Sequence, residues 1–332
     1  VRQLQHSLEG GRIAHSYLLV GPPNVGKMTL ALTLAQALNC ISGAERPCGA
    51  CSQCSRISLG RHSDVRVLSV GAPLAPPEPD ERGPRKGIHI ADVRELQRLA
   101  SLKPFEGQWH VFIIDGADHL IEEAANCLLK TLEEPPPDVV ILLLTSEEER
   151  LLPTLRSRCQ RLELRPLPER ELVDALTRVG LSDQAEAAHL ARLACGRVGW
   201  AISAYRNPQL LEKRREELEQ IATLASSSLA TRFDYASGLG TQFGRNRAQV
   251  QETLVLWLSL WRDVLLTEEG VEDHVVNLDI VDTLRVLAGQ LTPHETAAFI
   301  DSTLRTIEAL EQNANPRLAL ETLMLSLPAG KV

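Results

Sequence analysis

One glycine-rich turn, set between a strand pattern and a helix pattern, constrains the fold of this chain more than any other feature. Residues 16–20 form an apolar run typical of a buried strand, and residues 30–38 have the composition and spacing of a helix. Between them, residues 21–29 have the sequence Gly-Pro-Pro-Asn-Val-Gly-Lys-Met-Thr. Strand, glycine loop and helix is the context that a phosphate-binding loop requires; the alternative is a glycine turn without a ligand.

The loop supplies the residue types that hold phosphate. Gly21 and Gly26 allow the backbone to curl around phosphate oxygens, and Lys27 can reach the terminal phosphates of a nucleotide. Exposed N–H groups at the start of the helix add further donors. The other candidate contacts in the loop are Pro22, Asn24, Val25, Met28 and Thr29.

The position directly after Lys27 departs from the phosphate-loop pattern. The pattern requires a Ser or Thr whose hydroxyl binds Mg²⁺, and this chain has Met28 there. Thr29 lies about 100° further round the helix, so we do not expect it to replace the missing ligand. The loop is therefore expected to be a poor Mg²⁺ site and to hold ATP or ADP weakly or to stand empty.

Length and composition limit the remaining possibilities. A chain of 332 residues is too long for one ordinary core and predicts two or three domains. The net charge of −8 argues against tight, independent binding to nucleic acid. We expect a cytoplasmic protein without a membrane partner, because no apolar run is long enough to span a bilayer and the start has no signal-peptide pattern.

Four of the seven cysteines fall within residues 40–54, which indicates a metal site. Their spacing is C-x7-C-x2-C-x2-C, and they are Cys40, Cys48, Cys51 and Cys54. Four thiolates can surround one tetrahedral Zn²⁺. An iron–sulfur cluster is the first alternative, but its motif expects a cysteine where Ser58 stands; free buried thiols are the second. His62 could replace a ligand, although we expect it at the surface.

A second apolar run ends in a carboxylate. Residues 109–115 predict a buried strand whose last residue, Asp115, would lie beside Mg²⁺-bound phosphates in a phosphate-loop ATPase. The carboxylate that often follows to orient water is replaced by Gly116. Alternatively, Asp115 only caps a helix beginning near Ala117. Residues 139–145 predict a central parallel strand, and Thr145 at its end can hydrogen-bond a phosphate or water.

The remaining elements predicted within residues 1–134 rest on weaker patterns. We predict a short helix within residues 1–14, a mobile surface loop over residues 71–87 and a helix over residues 126–134. Apolar spacing from Ile90 to Leu102 predicts an amphipathic helix that Pro104 ends.

Four segments together resemble the bacterial clamp-loader branch of the AAA+ ATPases, most densely over residues 12–166. They are the phosphate loop, the four-cysteine module, Asn-Cys-Leu-Leu-Lys-Thr-Leu-Glu-Glu-Pro-Pro from residue 126, and Leu-Leu-Pro-Thr-Leu-Arg-Ser-Arg-Cys from residue 151. The resemblance implies an α/β phosphate-loop domain with a parallel sheet over residues 1–166, interrupted by a zinc module at about residues 40–62. A helical lid over 167–207 and an all-α collar over 208–332 would follow.

Two subunit types in this branch share the zinc module and the Ser-Arg-Cys motif: the ATP-hydrolysing gamma/tau type and the delta-prime type. Met28 and Gly116 favour the delta-prime type. The resemblance implies that Arg158 enters a neighbouring subunit's ATP site as an arginine finger, which can be worth roughly 10³–10⁵ in rate. Arg197, before a lid helix, is a candidate nucleotide sensor. The simpler interpretations are a surface salt bridge for Arg158 and a solvated side chain for Arg197.

The resemblance also implies partners. The chain would join gamma/tau and delta subunits in a ring that opens the sliding clamp and places it on primed DNA, as part of the DNA polymerase III holoenzyme. By itself we expect it to be neither a polymerase nor an active ATPase. One alternative is a gamma/tau-type or other AAA+ ATPase, which would hydrolyse ATP alone. Another is a zinc-containing nucleic-acid-binding module, which would bind DNA in a salt-sensitive manner.

Overall fold

The computed structural model describes residues 4, 8, 10, 13–42, 46–75, 87–312 and 314–328. The helix predicted within residues 1–14 lies largely outside this part of the chain, as do residues 76–86 of the predicted surface loop. The chain divides into two compact units: Val1–Pro168 with Gly196–Trp200, and Glu169–Cys195 with Ala201–Val332. The division into phosphate-loop, lid and collar domains stays a prediction.

The first unit is built on a parallel sheet, as the sequence predicts. Within the described residues the sheet has five strands in the order β2-β3-β4-β1-β5. In chain order they are β1 (Ser16–Val20), β2 (Val65–Leu68), β3 (His110–Asp115), β4 (Val139–Thr145) and β5 (Gln160–Glu163). The apolar runs that predict β1, β3 and β4 form the three central strands, and β2 is an edge strand that the sequence analysis missed.

Helices cover both faces of this sheet. They are α1 (Lys27–Asn39), α2 (Ser52–Ser58), α3 (Ile90–Ala100), α4 (Glu122–Glu133) and the single turn α5 (Pro153–Arg156). Strand β4 is apolar up to Thr145 and contributes to the core on both faces of the sheet. Ile141 packs on the α3 and α4 side, while Leu142 packs on the α1 side. Helix α3 ends at Ala100, so Leu102 is 52% exposed instead of lying on the predicted apolar face.

Two short 3₁₀ turns connect these elements. One spans Ala117–His119 after β3, and the other spans Glu148–Arg150 after β4. Gly116 occupies the N-cap of the first turn, and no side chain caps it. The alternative that Asp115 merely caps a helix at this point is therefore wrong.

The described part of the second unit is entirely helical. Its helices are α6 (Glu169–Arg178), α7 (Gln184–Ala194), α8 (Val198–Arg206, which begins in the first unit), α9 (Gln209–Leu224), α10 (Leu229–Arg245), α11 (Arg247–Glu268), α12 (Val281–Gln290), α13 (Pro293–Glu311) and α14 (Pro316–Ser326). Trp257 and Trp261 of α11 are fully buried against Phe299 of α13, with Trp261 edge-on at 4.9 Å between ring centres. No helix in the described residues is both long and apolar enough to cross a bilayer.

Candidate functional site

The carboxyl ends of three neighbouring strands bring the predicted phosphate-site residues together. Val20, the last residue of β1, pairs with Thr145, the last residue of β4. On the other side of β4, Asp115 pairs with Leu144. The loop that follows β1, the carboxylate that ends β3 and the hydroxyl that ends β4 therefore lie at one edge of the sheet, where ligands bind in open α/β folds.

The backbone of the loop has the glycines that its path requires. A side chain at Gly21 would place its Cβ 2.3 Å from the carbonyl oxygen of Leu164, so only glycine fits there. Gly26 is the N-cap of α1 in a left-handed conformation with φ +103°, which favours glycine. Asn24 also has a left-handed φ of +61°. The turn is thus set by close packing and by left-handed backbone, as in a phosphate loop.

Lys27 points back into the loop. Its Nζ donates to the carbonyl oxygens of Gly21 at 2.5 Å and Pro22 at 2.9 Å, and to Ser146 Oγ at 2.9 Å. An ammonium group has three N–H donors, so these contacts engage all of them. Any phosphate that binds Lys27 must compete with this internal set of acceptors.

Two carboxylates face Lys27. Burial lowers the pKa of Lys27, while the charges of Asp115 and Asp118 act in the opposite direction. Burial raises the pKa of Asp115, and the positive charge of Lys27 partly counters that increase. A titratable pair with pKa values moved toward each other in a sheet-edge site is typical of a functional position.

Asp118 belongs to this site but was missed by the sequence analysis. Its side chain is 8% exposed and its Oδ1 accepts a hydrogen bond of 2.6 Å from Thr145 Oγ1. Thr145 Oγ1 also accepts the backbone N–H of Glu147. Thr145 is therefore held by its own chain, through the 3₁₀ turn that carries Asp118. The only available signal was a carboxylate three residues after Asp115.

The chain departs from the ATPase pattern at two residues, Met28 after Lys27 and Gly116 after Asp115. Met28, in the first turn of α1, packs partly buried against the core on the α1 side of the sheet. Thr29 is exposed, and Val25 is buried. Gly116 has a left-handed backbone with φ +73° and ψ +53°. A carboxylate-bearing side chain at Gly116 would therefore be strained.

The start of α8 packs against the phosphate loop. The backbone N–H of Gly199 donates to the carbonyl oxygen of Asn24 at 2.8 Å, and a Cβ at Gly199 would come equally close to that oxygen. Arg197 lies one residue before α8, and its guanidinium carbon is 5.8 Å from the centre of the Trp200 ring. The predicted sensor residue is thus on a segment that touches the loop.

Arg158 lies at the surface, after α5 and before β5. Its side chain is 33% exposed, and Nη2 forms an ion pair of 2.5 Å with Oε1 of Glu133 at the end of α4. Nη1 donates to the carbonyl oxygen of Thr154 at 2.9 Å. The backbone carbonyl of Arg158 accepts from Ser16 Oγ at 2.7 Å, which ties this segment to β1. Within this chain, the salt-bridge interpretation of Arg158 describes its contacts.

The four predicted cysteine ligands come together. Their Sγ atoms all lie within 4.8 Å of one another, and those of Cys40 and Cys51 are 4.0 Å apart. Neighbouring sulfurs around a tetrahedral ion with Zn–S bonds of about 2.3 Å are about 3.8 Å apart, so the cluster fits one such ion. The backbone N–H groups of Cys54 and Ile41 lower the pKa of Cys51 to about 6. Burial raises the pKa of Cys54 to about 12, so a metal would displace its proton.

His62 is outside this cluster and is buried, contrary to the expectation of a surface residue. Its Nε2 is 2.5 Å from Gln53 Oε1, and its Nδ1 accepts the backbone N–H of Asp64 at 3.1 Å. Burial lowers the pKa of His62. His62 is therefore part of a polar network next to the cysteine module, and not a fifth candidate ligand.

Comparison with known proteins identifies the family. Residues 1–168 match the family described as DNA polymerase III, delta subunit, and residues 208–328 match DNA polymerase III, delta subunit, C terminal. The chain is 30% identical to DNA polymerase III subunit delta' of Bacillus subtilis, over 99% of this chain and 95% of that protein.

More distant similarities are partial or weaker. The gamma/tau subunit of Mycobacterium bovis is 37% identical over 53% of this chain, which corresponds to 28% of that protein. A crystal structure of a gamma subunit-related protein from Thermotoga maritima is 20% identical, with 97% of each chain covered and a TM-score of 0.45. On the family matches and the full-length similarity, the chain belongs to the DNA polymerase III delta-prime subunit family.

Proposed function

We propose that this chain acts in a clamp loader by completing the ATP site of a neighbouring subunit with Arg158. The observation that carries the proposal is the placement of this side chain. It is one third exposed, and its only ionic partner in the described residues is Glu133, which is itself half exposed. Such ion pairs contribute about 0–1 kcal/mol, so a triphosphate on another chain can replace Glu133 at little cost.

The chain's own phosphate loop is proposed to be catalytically inactive. Met28 cannot supply the hydroxyl that binds Mg²⁺, and Gly116 stands where a catalytic carboxylate would orient water. The glycine loop, Lys27, Asp115, Thr145 and Arg197 would still form a weak site for ATP or ADP. Hydrolysis in this pocket is expected to be negligible, because one missing group would hold the Mg²⁺ that neutralises phosphate charge and the other would orient the attacking water.

The partners follow from the proposed role. One neighbour would be a gamma/tau subunit, since a finger in trans requires an adjacent subunit with an intact ATP site. A delta subunit is the second proposed partner. The sliding clamp and primed DNA would be met through the assembled ring, in the cytoplasm. Zn²⁺ is the proposed occupant of the cluster of Cys40, Cys48, Cys51 and Cys54, because four sulfurs at this spacing suit its tetrahedral preference.

Substitution of Arg158 in a reconstituted loader tests the proposal. Arg158→Ala is expected to lower clamp- and DNA-stimulated ATP hydrolysis, with the adjacent site losing a factor on the order of 10³ in single-turnover measurements. Gel filtration should show unchanged assembly. Arg156→Ala is the matched control, because it removes a second guanidinium from the same segment and should leave hydrolysis unchanged.

The isolated chain provides the second arm of the test. It should hydrolyse ATP no faster than its Lys27→Ala variant. Brisk hydrolysis that Lys27→Ala abolishes would instead identify a self-sufficient ATPase of the gamma/tau kind. Normal hydrolysis by a loader containing Arg158→Ala would overturn the proposed finger.

A further inference from the structure

The segment between α3 and β3 presents an exposed aromatic side chain from a rigidly bonded backbone. Phe105 is 86% exposed, the largest value among the exposed large apolar residues in the described part of the chain. Surface segments with few internal contacts are usually the mobile ones. This segment is different, because its backbone is bonded to three separate parts of the first unit.

Asp64 and Asn39 hold the segment from the protein interior. The Asp64 carboxylate is 1% exposed and accepts the backbone N–H groups of Phe105, Glu106 and Gly107 at 2.7–2.8 Å. Oδ1 of the buried Asn39 accepts the next two, from Gln108 and Trp109, at 2.8 and 2.9 Å. Five consecutive N–H groups are therefore satisfied by two buried side chains.

Helix α2 of the cysteine module holds the same segment from the side. Gln53 Nε2 donates to the backbone carbonyl of Glu106 at 3.0 Å. Arg56 forms an ion pair with the Glu106 carboxylate, which also accepts the N–H and hydroxyl of Ser63 at 2.9 and 2.8 Å. Glu106 is thus the point at which the segment and the cysteine module are joined.

The first turn of helix α2 is held by the cysteines. It has seven residues, and isolated helices of that length are not stable in water. Cys51 is its N-cap and accepts the N–H of Cys54, which is buried on the helix. Outside the cysteines, Ile57 packs into the core on the α1 side, and Gln36 of α1 donates to the carbonyl of Cys54 at 2.9 Å. Two of the four candidate metal ligands therefore lie in its first turn.

We propose that metal binding by the four cysteines fixes the position of residues 105–107. The bound ion would hold α2, and α2 would hold Glu106 through Gln53 and Arg56, so that the exposed Phe105 is presented in one place. This inference rests on the proposed Zn²⁺ site. It gives that site a role outside its own module, as the anchor of a surface segment that follows it by some fifty residues.

Hydrogen exchange of the full chain tests the connection directly. Metal analysis first establishes whether the purified protein carries zinc. The amides of residues 105–107 are then compared with and without chelation of the metal. We expect their exchange to become about tenfold faster without metal, the loss that corresponds to about one to two net hydrogen bonds. Amides of β4 should not change, which separates a local effect from unfolding of the whole unit.

A variant that cuts the connection while keeping the cysteines makes the test independent of metal removal. Gln53→Ala with Arg56→Ala should accelerate exchange of residues 105–107 about tenfold with zinc still bound. Chelation should then add little in this variant. Ser52→Ala is the matched control, since Ser52 is an exposed residue of the same helix, and it should leave exchange unchanged.

Three results would count against either the proposed zinc site or the proposed connection from the metal through α2 to residues 105–107. Zinc-free protein with four reactive thiols would overturn the zinc site. Exchange at residues 105–107 that stays within twofold in the double variant would overturn the connection through α2 and leave Asp64 and Ser63 as the anchors. Acceleration in the double variant that chelation multiplies again by tenfold would also overturn it, because the metal would then act by another route.

Discussion

Asp64, which is buried, and Asp115, which is partly buried, lie in the same unit and have opposite electrostatic environments. Burial alone would raise the pKa of both. At Asp64 the N–H groups of Phe105, Glu106 and Gly107, with the nearby His110, outweigh burial, and the pKa falls below its ordinary value. At Asp115 burial prevails, and the pKa is raised despite the charge of Lys27 and the N–H of Gly116.

The difference in pKa shift separates Asp64, a carboxylate that stabilises the fold, from Asp115, a carboxylate of the candidate site. Asp64 is satisfied by fixed backbone donors, so its charge is stabilised in the folded chain without help from a ligand. Asp115 depends on the charge of one lysine whose own donors are engaged elsewhere. Buried groups with an ionised form that is poorly compensated are frequent at binding sites, where a ligand or ion completes the balance.

Removal of the Asp64 side chain is expected to have the largest effect on stability. Asp64→Ala should lower the free energy of unfolding by about 3 kcal/mol or more, because three backbone N–H groups lose one buried, charged acceptor. Asp115→Asn should change it by less than about 1 kcal/mol, or increase it, because a desolvated charge is removed. Urea unfolding followed by circular dichroism gives both values. Equal losses for the two variants would contradict the distinction.

The pH dependence of stability should have opposite signs at the two positions. The lowered pKa of Asp64 means that its contribution is present above its unfolded pKa of about 3.9 and is lost as pH falls through the folded pKa. The raised pKa of Asp115 gives a contribution that is present below about pH 3.9 and lost as pH rises through the folded value.

Unfolding measured from about pH 2 to about pH 6 checks both contributions, because the loss at Asp64 lies below its unfolded pKa. Asp64→Asn should reduce the acid-induced loss of stability. The stability of Asp115→Asn relative to the unmodified chain should increase as pH rises. A parallel pH profile for the two variants would show that the environments do not differ as described.

The sequence predicts the central part of the fold because the central strands are apolar except at their ends. Residues 16–20, 109–115 and 139–145 needed no knowledge of their neighbours. Edge strand β2 was missed because the exposed Arg66 breaks the apolar pattern in a run of only four residues. Helix α2 was missed because its formation depends on cysteine contacts, which periodicity does not record.

The same distinction between local pattern and long-range contact decides which site residues could be predicted from the sequence. Lys27, Asp115 and Thr145 could be brought together from sequence, because the ends of parallel strands meet at one edge. Asp118 joins them only through a 3₁₀ turn that places its carboxylate on Thr145. The Asp64 contacts could not be predicted, since they connect residues about forty positions apart through backbone N–H groups that carry no side-chain signature.

Substitution of Lys27 tests how far Asp115 depends on it. Lys27→Met removes the positive charge, so the pKa of Asp115 should rise further above its ordinary value. Carboxyl-carbon NMR titration of the isolated chain measures this. The pKa of Asp64 is the internal control and should stay low, because its donors are backbone groups of another segment. An unchanged Asp115 titration would mean that Lys27 is not its counter-charge.

A smaller effect is expected at Gly116, whose N–H helps to lower the pKa of Asp115. Gly116→Ala should destabilise the chain by about 1 kcal/mol, because φ +73° is unfavourable for a residue with a Cβ. Gly238→Ala is the control of opposite sign: it lies within α10 with no atom within 4 Å of an added Cβ, and should stabilise by up to about 1 kcal/mol.

The Gly116 result also bears on the proposed inactive ATP site. If Gly116→Ala costs nothing, the left-handed turn after β3 is not required. A carboxylate could then be accommodated at this position without strain. The backbone would no longer be a reason for the absence of a catalytic group beside Asp115.

The smallest change in the free energy of unfolding is expected at Glu133. This carboxylate is half exposed, so it is more solvated than either Asp64 or Asp115. Its ion pair with Arg158 is screened by water, so Glu133→Gln should change the free energy of unfolding by less than about 1 kcal/mol, and less still at high salt. The proposed finger requires this outcome, because Arg158 must exchange Glu133 for a neighbour's triphosphate. A loss well above 1 kcal/mol in urea unfolding would mean that the pair fixes Arg158 within its own chain, and the trans role would become energetically unfavourable.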